Sequence, residues 1–214
     1  MSADPFADEF DPRPVRHTEV LVEGRVWDVV RDEVDLADAG LHVREYVQHP
    51  GAVAVVALDD DGRICLIQQY RHPIRTREWE IPAGLLDVEG EPPWVAAARE
   101  LHEEADLVAG RFDVLVDLRP SPGGLDEAIR VFLARGVSRG PESGRHVREA
   151  EEHGMPLAWV ALDDAVEAVL EGRVQNGILV SAVLAAHVAR QRNWDSLRPH
   201  DTPWPQGPGG VERA

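Results

Sequence analysis

Glu100, Glu103 and Glu104 stand at i, i+3 and i+4 in the run Arg99-Glu-Leu-His-Glu-Glu104, so a helix places all three carboxylates on one face. Like charges at that spacing repel, and a divalent cation reverses the sign of the interaction. Mg²⁺ and Mn²⁺ take oxygen ligands, neutralise phosphate groups and activate water, so the chemistry this face would support is hydrolysis of a diphosphate. A solvated acidic face is the bland alternative. Arg99 is a cation beside the three acids, able to hold one of them in place.

The elements that must position these acids are also legible. Pro92 and Pro93 fit a helix start, where a missing N–H costs nothing. Val95, Ala98, Leu101 and Ala105 recur at three- and four-residue steps and are expected as the buried stripe. Upstream, Trp79-Glu-Ile-Pro-Ala-Gly84 reads as a short apolar strand running into a Pro/Gly turn. Strand, glycine turn and acidic helix follow one another as a small preorganised unit.

This stretch resembles the Nudix box, a Gly, five residues, Glu, seven residues, then Arg-Glu-U-X-Glu-Glu-X-Gly-U with U aliphatic. Glu91, Arg99, Glu100, Leu101, Glu103, Glu104 and Leu107 match it. Two positions depart: six residues separate Gly84 from Glu91, and Asp106 replaces the final Gly. The extra residue falls in the loop before the helix. Asp106 falls at the helix C-terminus, where a left-handed residue is often wanted and Asp is less tolerant than Gly by about 1 kcal/mol. The segments Ile67-Gln-Gln-Tyr-Arg-His72, Trp79–Gly84 and Ser121-Pro-Gly-Gly-Leu-Asp-Glu127 are similar to the ADP-ribose pyrophosphatase branch, as is Pro122, fifteen residues past Leu107. The likeness spans about residues 17 to 192.

The resemblance implies hydrolysis of ADP-ribose to AMP and ribose 5-phosphate with Mg²⁺ or Mn²⁺. Glu100 and Glu104 would be shared metal ligands, the Ala83 carbonyl a further one, and Glu103 a secondary ligand or support. A loop Glu would act as general base; alignment on Met155 and Trp159 favours Glu152, then Glu151. On chemistry alone His146 and His153 are also candidates. Trp27 and Arg44 sit where the family places adenine-stacking and phosphate-binding groups, sometimes from a partner subunit; core or dimer packing is the other reading of Trp27. Arg71 would contact phosphate, and the loop from Gly123 to Glu127 would border the ribose end. Other nucleoside diphosphate sugars or dinucleotides remain alternative substrates, and a nucleotide-binding sensor with little catalysis is the alternative of another class.

The chain has 214 residues and a net charge of −17. That charge argues against binding a nucleic-acid backbone. It also requires cations and local arginines such as Arg71, Arg75 and Arg77 to offset repulsion of an anionic substrate. The single cysteine, Cys65, lies in an apolar run and cannot form an internal disulfide. No window reaches transmembrane length and the acidic start lacks signal-peptide character, so a cytoplasmic protein is expected.

Residues 1–16 are acidic and Pro-rich and are expected to be disordered. Residues 17–49 read as three antiparallel strands broken at Glu23-Gly24 and Ala39-Gly40. Such a small sheet buries little alone. The resemblance implies a homodimer through it; folding back on its own core is the alternative. Residues 50–194 form the hydrolase domain, with a buried strand at 52–58, its partner at 64–70, strands near 112–118, 128–134 and 157–161, and two late helices. Asp163 or Asp164 caps the first of these, and Asn176 caps the second. Residues 195–214 read as a loose Pro/Gly tail. Mixed strands with helices on both sides give an α/β fold, an α/β/α sandwich, which the resemblance implies as well.

Overall fold

The computed structural model describes residues 6–141 and 154–208. Its centre is β4 (Ala52–Ala57), every residue of which is buried. Strand alternation sends Val53, Val55 and Ala57 to one side and Ala54 and Val56 to the other. A strand covered on both faces reads as an unbroken apolar run, which is what the sequence shows. β4 runs parallel to β9 (Ile129–Arg139) and antiparallel to β7 (Ala83–Leu85). With β8 (Leu107–Leu118) and the two-residue β11 (Arg198–Pro199) they form a mixed sheet ordered β11-β8-β9-β4-β7.

Helix α1 (Pro93–Ala105) packs on the first face of this sheet through Ala96, Ala97, Leu101 and Ala105, against Val53, Val55, Val114 and Phe132. Helices α2 (Leu162–Leu170) and α3 (Gly177–Gln191) cover the other through Leu162, Val166, Leu179, Val183 and Ala186. The result is the expected sandwich. A second sheet joins β5 (Arg63–Arg71), β6 (Thr76–Glu80) and β10 (Leu157–Ala161). The buried stripe of α1 differs from the expected one. Val95 and Ala98 are only partly buried, while Ala96, Ala97 and Glu104 are inside. The helix is turned so that Glu104 faces β7, where it finds a backbone partner.

Asn176 caps α3 as expected, its Oδ1 accepting from the N–H groups of Ile178 and Leu179 at 3.1 and 3.0 Å. Asp163 and Asp164 instead lie in the first turn of α2, and Ala161 holds the cap position. There the carboxylates favour the positive end of the helix dipole without capping it.

Three strands, β1 (Val15–Val22), β2 (Asp28–Asp35) and β3 (Leu41–Gln48), make the antiparallel N-terminal sheet. β1 is exposed along nearly all its length, and Val20, Val22, Leu41 and Val43 are each more than half exposed. The end of β3 is tied to the loop ahead of β9: Val47 N–H donates to Gly124 O and Asp126 N–H to Val47 O.

Residues 195–208 depart from the expected loose tail. β11 pairs with β8, and Arg130 on β9, only 2% exposed, reaches across to this segment. Its guanidinium donates to Asp117 at 2.8 and 3.1 Å and to Thr202 O at 2.6 Å, and lies 4.7 Å from the centre of the Trp204 ring. A buried cation must be paired, and the segment supplies part of that pairing. Pro208 packs on Gly51 so closely that a Cβ there would come within 1.9 Å of the ring. Residues 209–214 lie outside the described residues.

Candidate active site

β7 and α1 meet side by side, and the contact is made by the residues of the acidic motif. Glu104 is 6% exposed, and its Oε2 accepts the Ala83 N–H at 2.8 Å. One turn earlier, Glu100 lies directly over Gly84. A Cβ on Gly84 would fall 2.0 Å from the Glu100 carboxyl carbon. The backbone of Gly84 is not in the left-handed region, so glycine is required here for room.

Arg99 gathers the remaining acids. Its Nε and Nη2 donate to the two oxygens of Glu91 at 3.2 and 2.9 Å, and its Nη1 donates to Glu100 and to Glu103, the latter at 3.4 Å. The bonds it donates to Glu91, with the charge of Glu100 behind them, hold the guanidinium well above its ordinary pKa against the opposing effect of burial. Glu91 therefore reaches Arg99 despite the longer turn, and the extra residue is taken up in the loop. Asp106 ends α1 in the left-handed conformation at φ 56°, its N–H bonding back to His102 O. Asp106 O accepts from Gly140 N–H at 2.8 Å, and the His102 ring lies against Gly140. These contacts fix the end of the acidic helix to the end of β9.

The donor set fits a hard divalent cation: carboxylate oxygens, partly or fully buried, beside a backbone turn cleared by a glycine. Among the described residues no three carboxylates or imidazoles already converge as a metal cage. Arg99 spans Glu100 and Glu103, and Glu104 is turned to the Ala83 N–H. Glu100 and Glu103 would have to exchange Arg99 for the cation.

A second group of residues surrounds the loop that precedes β9. Glu127 has its carboxylate 3.8 Å from His49 Nε2. Burial pushes the Glu127 carboxyl up, while His49 and Arg71 act in the other direction. Trp27 stacks on His49, with ring centres 6.2 Å apart and planes at 27°. Arg71 grips the buried Glu80 with two bonds, 2.8 and 2.6 Å. Thus Trp27, Arg71 and Glu127 are brought into one neighbourhood. Arg44 is not: it pairs across from Asp32, four positions along β2 from the Asp28 end where Trp27 sits. Gly123 faces open space, so no contact within the described residues demands a glycine there. Arg75 and Arg77 are exposed. Glu151 and Glu152, with His146 and His153, lie outside the described residues. His49 carried no signal in the sequence, because a lone His after a strand has many ordinary explanations, and Glu80 showed only as one residue of the Trp79–Gly84 segment. A cavity of about 920 Å³ opens beside Glu91, walled by Trp94, His200 and Trp204, and carries none of the expected substrate residues.

An α/β/α sandwich in which a strand, a glycine turn and an acidic helix assemble carboxylates around an arginine defines a class of diphosphate-directed hydrolases. The chain belongs to the Nudix family: residues 48–180 match the NUDIX domain. It is 46% identical to an ADP-ribose pyrophosphatase of Mycobacterium tuberculosis over 187 residues, covering 87% of this chain and 88% of that one. It is 36% identical to a methanol dehydrogenase activator of Bacillus methanolicus, covering 81% and 91% of the two chains. In fold it is similar to a crystal structure of an ADP compounds hydrolase, with a TM-score of 0.71 at 19% identity, over 87% of this chain and 98% of the other. No helix among the described residues is long and apolar enough to cross a membrane.

Proposed function

We propose that the protein hydrolyses the diphosphate bond of ADP-ribose, giving AMP and ribose 5-phosphate, with Mg²⁺ or Mn²⁺ held at the acidic helix. The observation that carries this reading is the seating of Glu100 over Gly84 beside Glu104 at Ala83. Similarity to an ADP-ribose pyrophosphatase over most of both chains supports the choice of substrate.

Glu100, Glu104 and the Ala83 carbonyl would hold the cation, with Glu103 as a secondary ligand. When bound, the cation polarises phosphate oxygens and lowers the pKa of water. Arg99 holds Glu100 and Glu103 in place while the cation is absent. Trp27 offers a ring face to the adenine, Arg71 a positive charge to the phosphates, and Glu127 an acceptor to sugar hydroxyls. Glu152, or failing it Glu151, would take the proton from the attacking water. The net charge of −17 makes such local compensation necessary for an anionic substrate.

The exposed valines and Leu41 of the N-terminal sheet support a homodimer built through residues 17–49, with Arg44 presented to the partner's site. Sedimentation should give twice the chain mass, and a monomer would remove that part of the reading.

The substrate is tested by incubating the protein with ADP-ribose, with and without each metal, and following AMP by chromatography. ADP-glucose, GDP-mannose and NADH run alongside. Metal-dependent AMP release, fastest from ADP-ribose, is expected. Faster turnover of another compound would overturn the substrate and keep the metal chemistry.

A further inference from the structure

We infer that His49 is a positioning residue that locks Trp27 and Glu127 into one recognition surface for a nucleoside diphosphate. The inference rests on the substrate class proposed above and names a residue that the acidic motif does not include.

The main chain first brings the parts together. β3 and the loop at 124–126 exchange the Val47–Gly124 and Asp126–Val47 bonds, and His49 N–H donates to Asp126 Oδ1 at 2.7 Å. The imidazole then completes the arrangement in three directions. Its Nδ1 accepts the Gly51 N–H at 3.0 Å. A nitrogen that accepts must present a lone pair, so the ring hydrogen sits on Nε2. That nitrogen faces Glu127 Oε1 at 3.8 Å. The ring face carries Trp27, which is itself 50% exposed. His49 and Glu127 are mostly buried, with side-chain exposures of 10% and 19%, so neither can relax freely into water.

This geometry has a chemical consequence. Glu127 is buried and stands next to Asp126, and both effects favour its neutral form. The electrostatic effects of His49 and Arg71 oppose them, without reversing the rise. Arg71 is itself shared with Glu80 through two bonds. An ionised Glu127 accepts hydrogen bonds from hydroxyl groups through both oxygens, whereas the neutral acid gives up part of that capacity. His49 thus works against the effect of burial on Glu127 while its ring supports Trp27.

Two substitutions separate the directions. His49→Asn offers an oxygen where Nδ1 stands, satisfying Gly51, and removes the Nε2 hydrogen. His49→Gln keeps an N–H near the Nε2 position. In the full chain, His49→Asn should raise KM about five- to tenfold as Glu127 and Trp27 lose their shared support, and change kcat by no more than about twofold. His49→Gln should recover part of the lost KM, because it restores the group facing Glu127 and not the ring under Trp27. A carbon-13 titration of the Glu127 carboxyl should show its midpoint moving to higher pH in His49→Asn. An unchanged KM in His49→Asn, equal effects of both substitutions, or an unmoved Glu127 midpoint would overturn the role. Wild-type protein inert toward ADP-ribose would instead overturn the proposed substrate, and the Glu127 titration would still decide the case of His49.

Discussion

The Glu100 carboxylate occupies the space in which a side chain on Gly84 would begin. The clash distance of 2.0 Å is to the far end of a flexible side chain, so the helix and strand need not move to relieve it. Gly84→Ala should therefore leave stability within about 1 kcal/mol, because only Glu100 gives way. The displaced carboxylate is a proposed metal ligand, and a shift of about 1 Å at a reacting centre costs on the order of 100-fold. Thermal unfolding and kcat/KM on the same samples check this, and an unimpaired Gly84→Ala would separate Glu100 from the chemistry.

Arg99 meets Glu91 with two parallel bonds and reaches Glu100 and Glu103 as well. A lysine carries the charge and cannot reproduce that fork. Arg99→Lys should cost about 2 kcal/mol of stability from lost charge-assisted hydrogen bonds, and should raise the metal concentration needed for half-maximal rate. Denaturant titration and a metal titration of the rate measure the two effects. Equal values for both proteins would show that the charge alone is sufficient.

Asp113 on β8 is buried, and burial alone would raise its pKa. Arg111 at 2.9 Å and Arg135 at 2.7 Å outweigh that and hold it below the ordinary carboxylate value. A depressed folded value stabilises the protein above the unfolded pKa of about 3.9, and that contribution is lost as pH falls through the folded value. Asp113→Asn should lose about 1–2 kcal/mol at neutral pH, and the difference should close below about pH 4. Unfolding curves at pH 7, 5 and below 4 would show it; a difference independent of pH would contradict the ion-pair account.

Much of the site was readable because its signals are local. The glycine, the two prolines and the acids lie within one strand–turn–helix unit, and Asp106 takes the left-handed conformation expected at that helix end. The sandwich was readable from the apolar run at Ala52–Ala57, which only a strand buried on both faces requires. What escaped depends on distant pairing. Val95 and Ala98 fit the helical period, yet Glu104 displaced that register because the Ala83 N–H offered it a buried partner. The segment after residue 195 looked loose from its prolines and glycines, whereas Arg130 holds Thr202 across 72 residues of chain. His49 became legible only when the fold set Gly51, Trp27 and Glu127 around it. Periodicity reports which face is apolar and says nothing about which polar groups meet across the fold.

We propose that Glu104, with Glu100, binds the divalent cation on which hydrolysis depends. Glu104→Gln retains an oxygen for the Ala83 N–H and removes the negative charge, so it separates folding from chemistry. AMP release from ADP-ribose should require Mg²⁺ or Mn²⁺, stop on chelation, and fall by at least about 100-fold in Glu104→Gln at saturating metal, while the unfolding temperature of the metal-free protein stays within a few degrees. Turnover that survives chelation, or a Glu104→Gln protein as active as the wild type, would rule out this metal site.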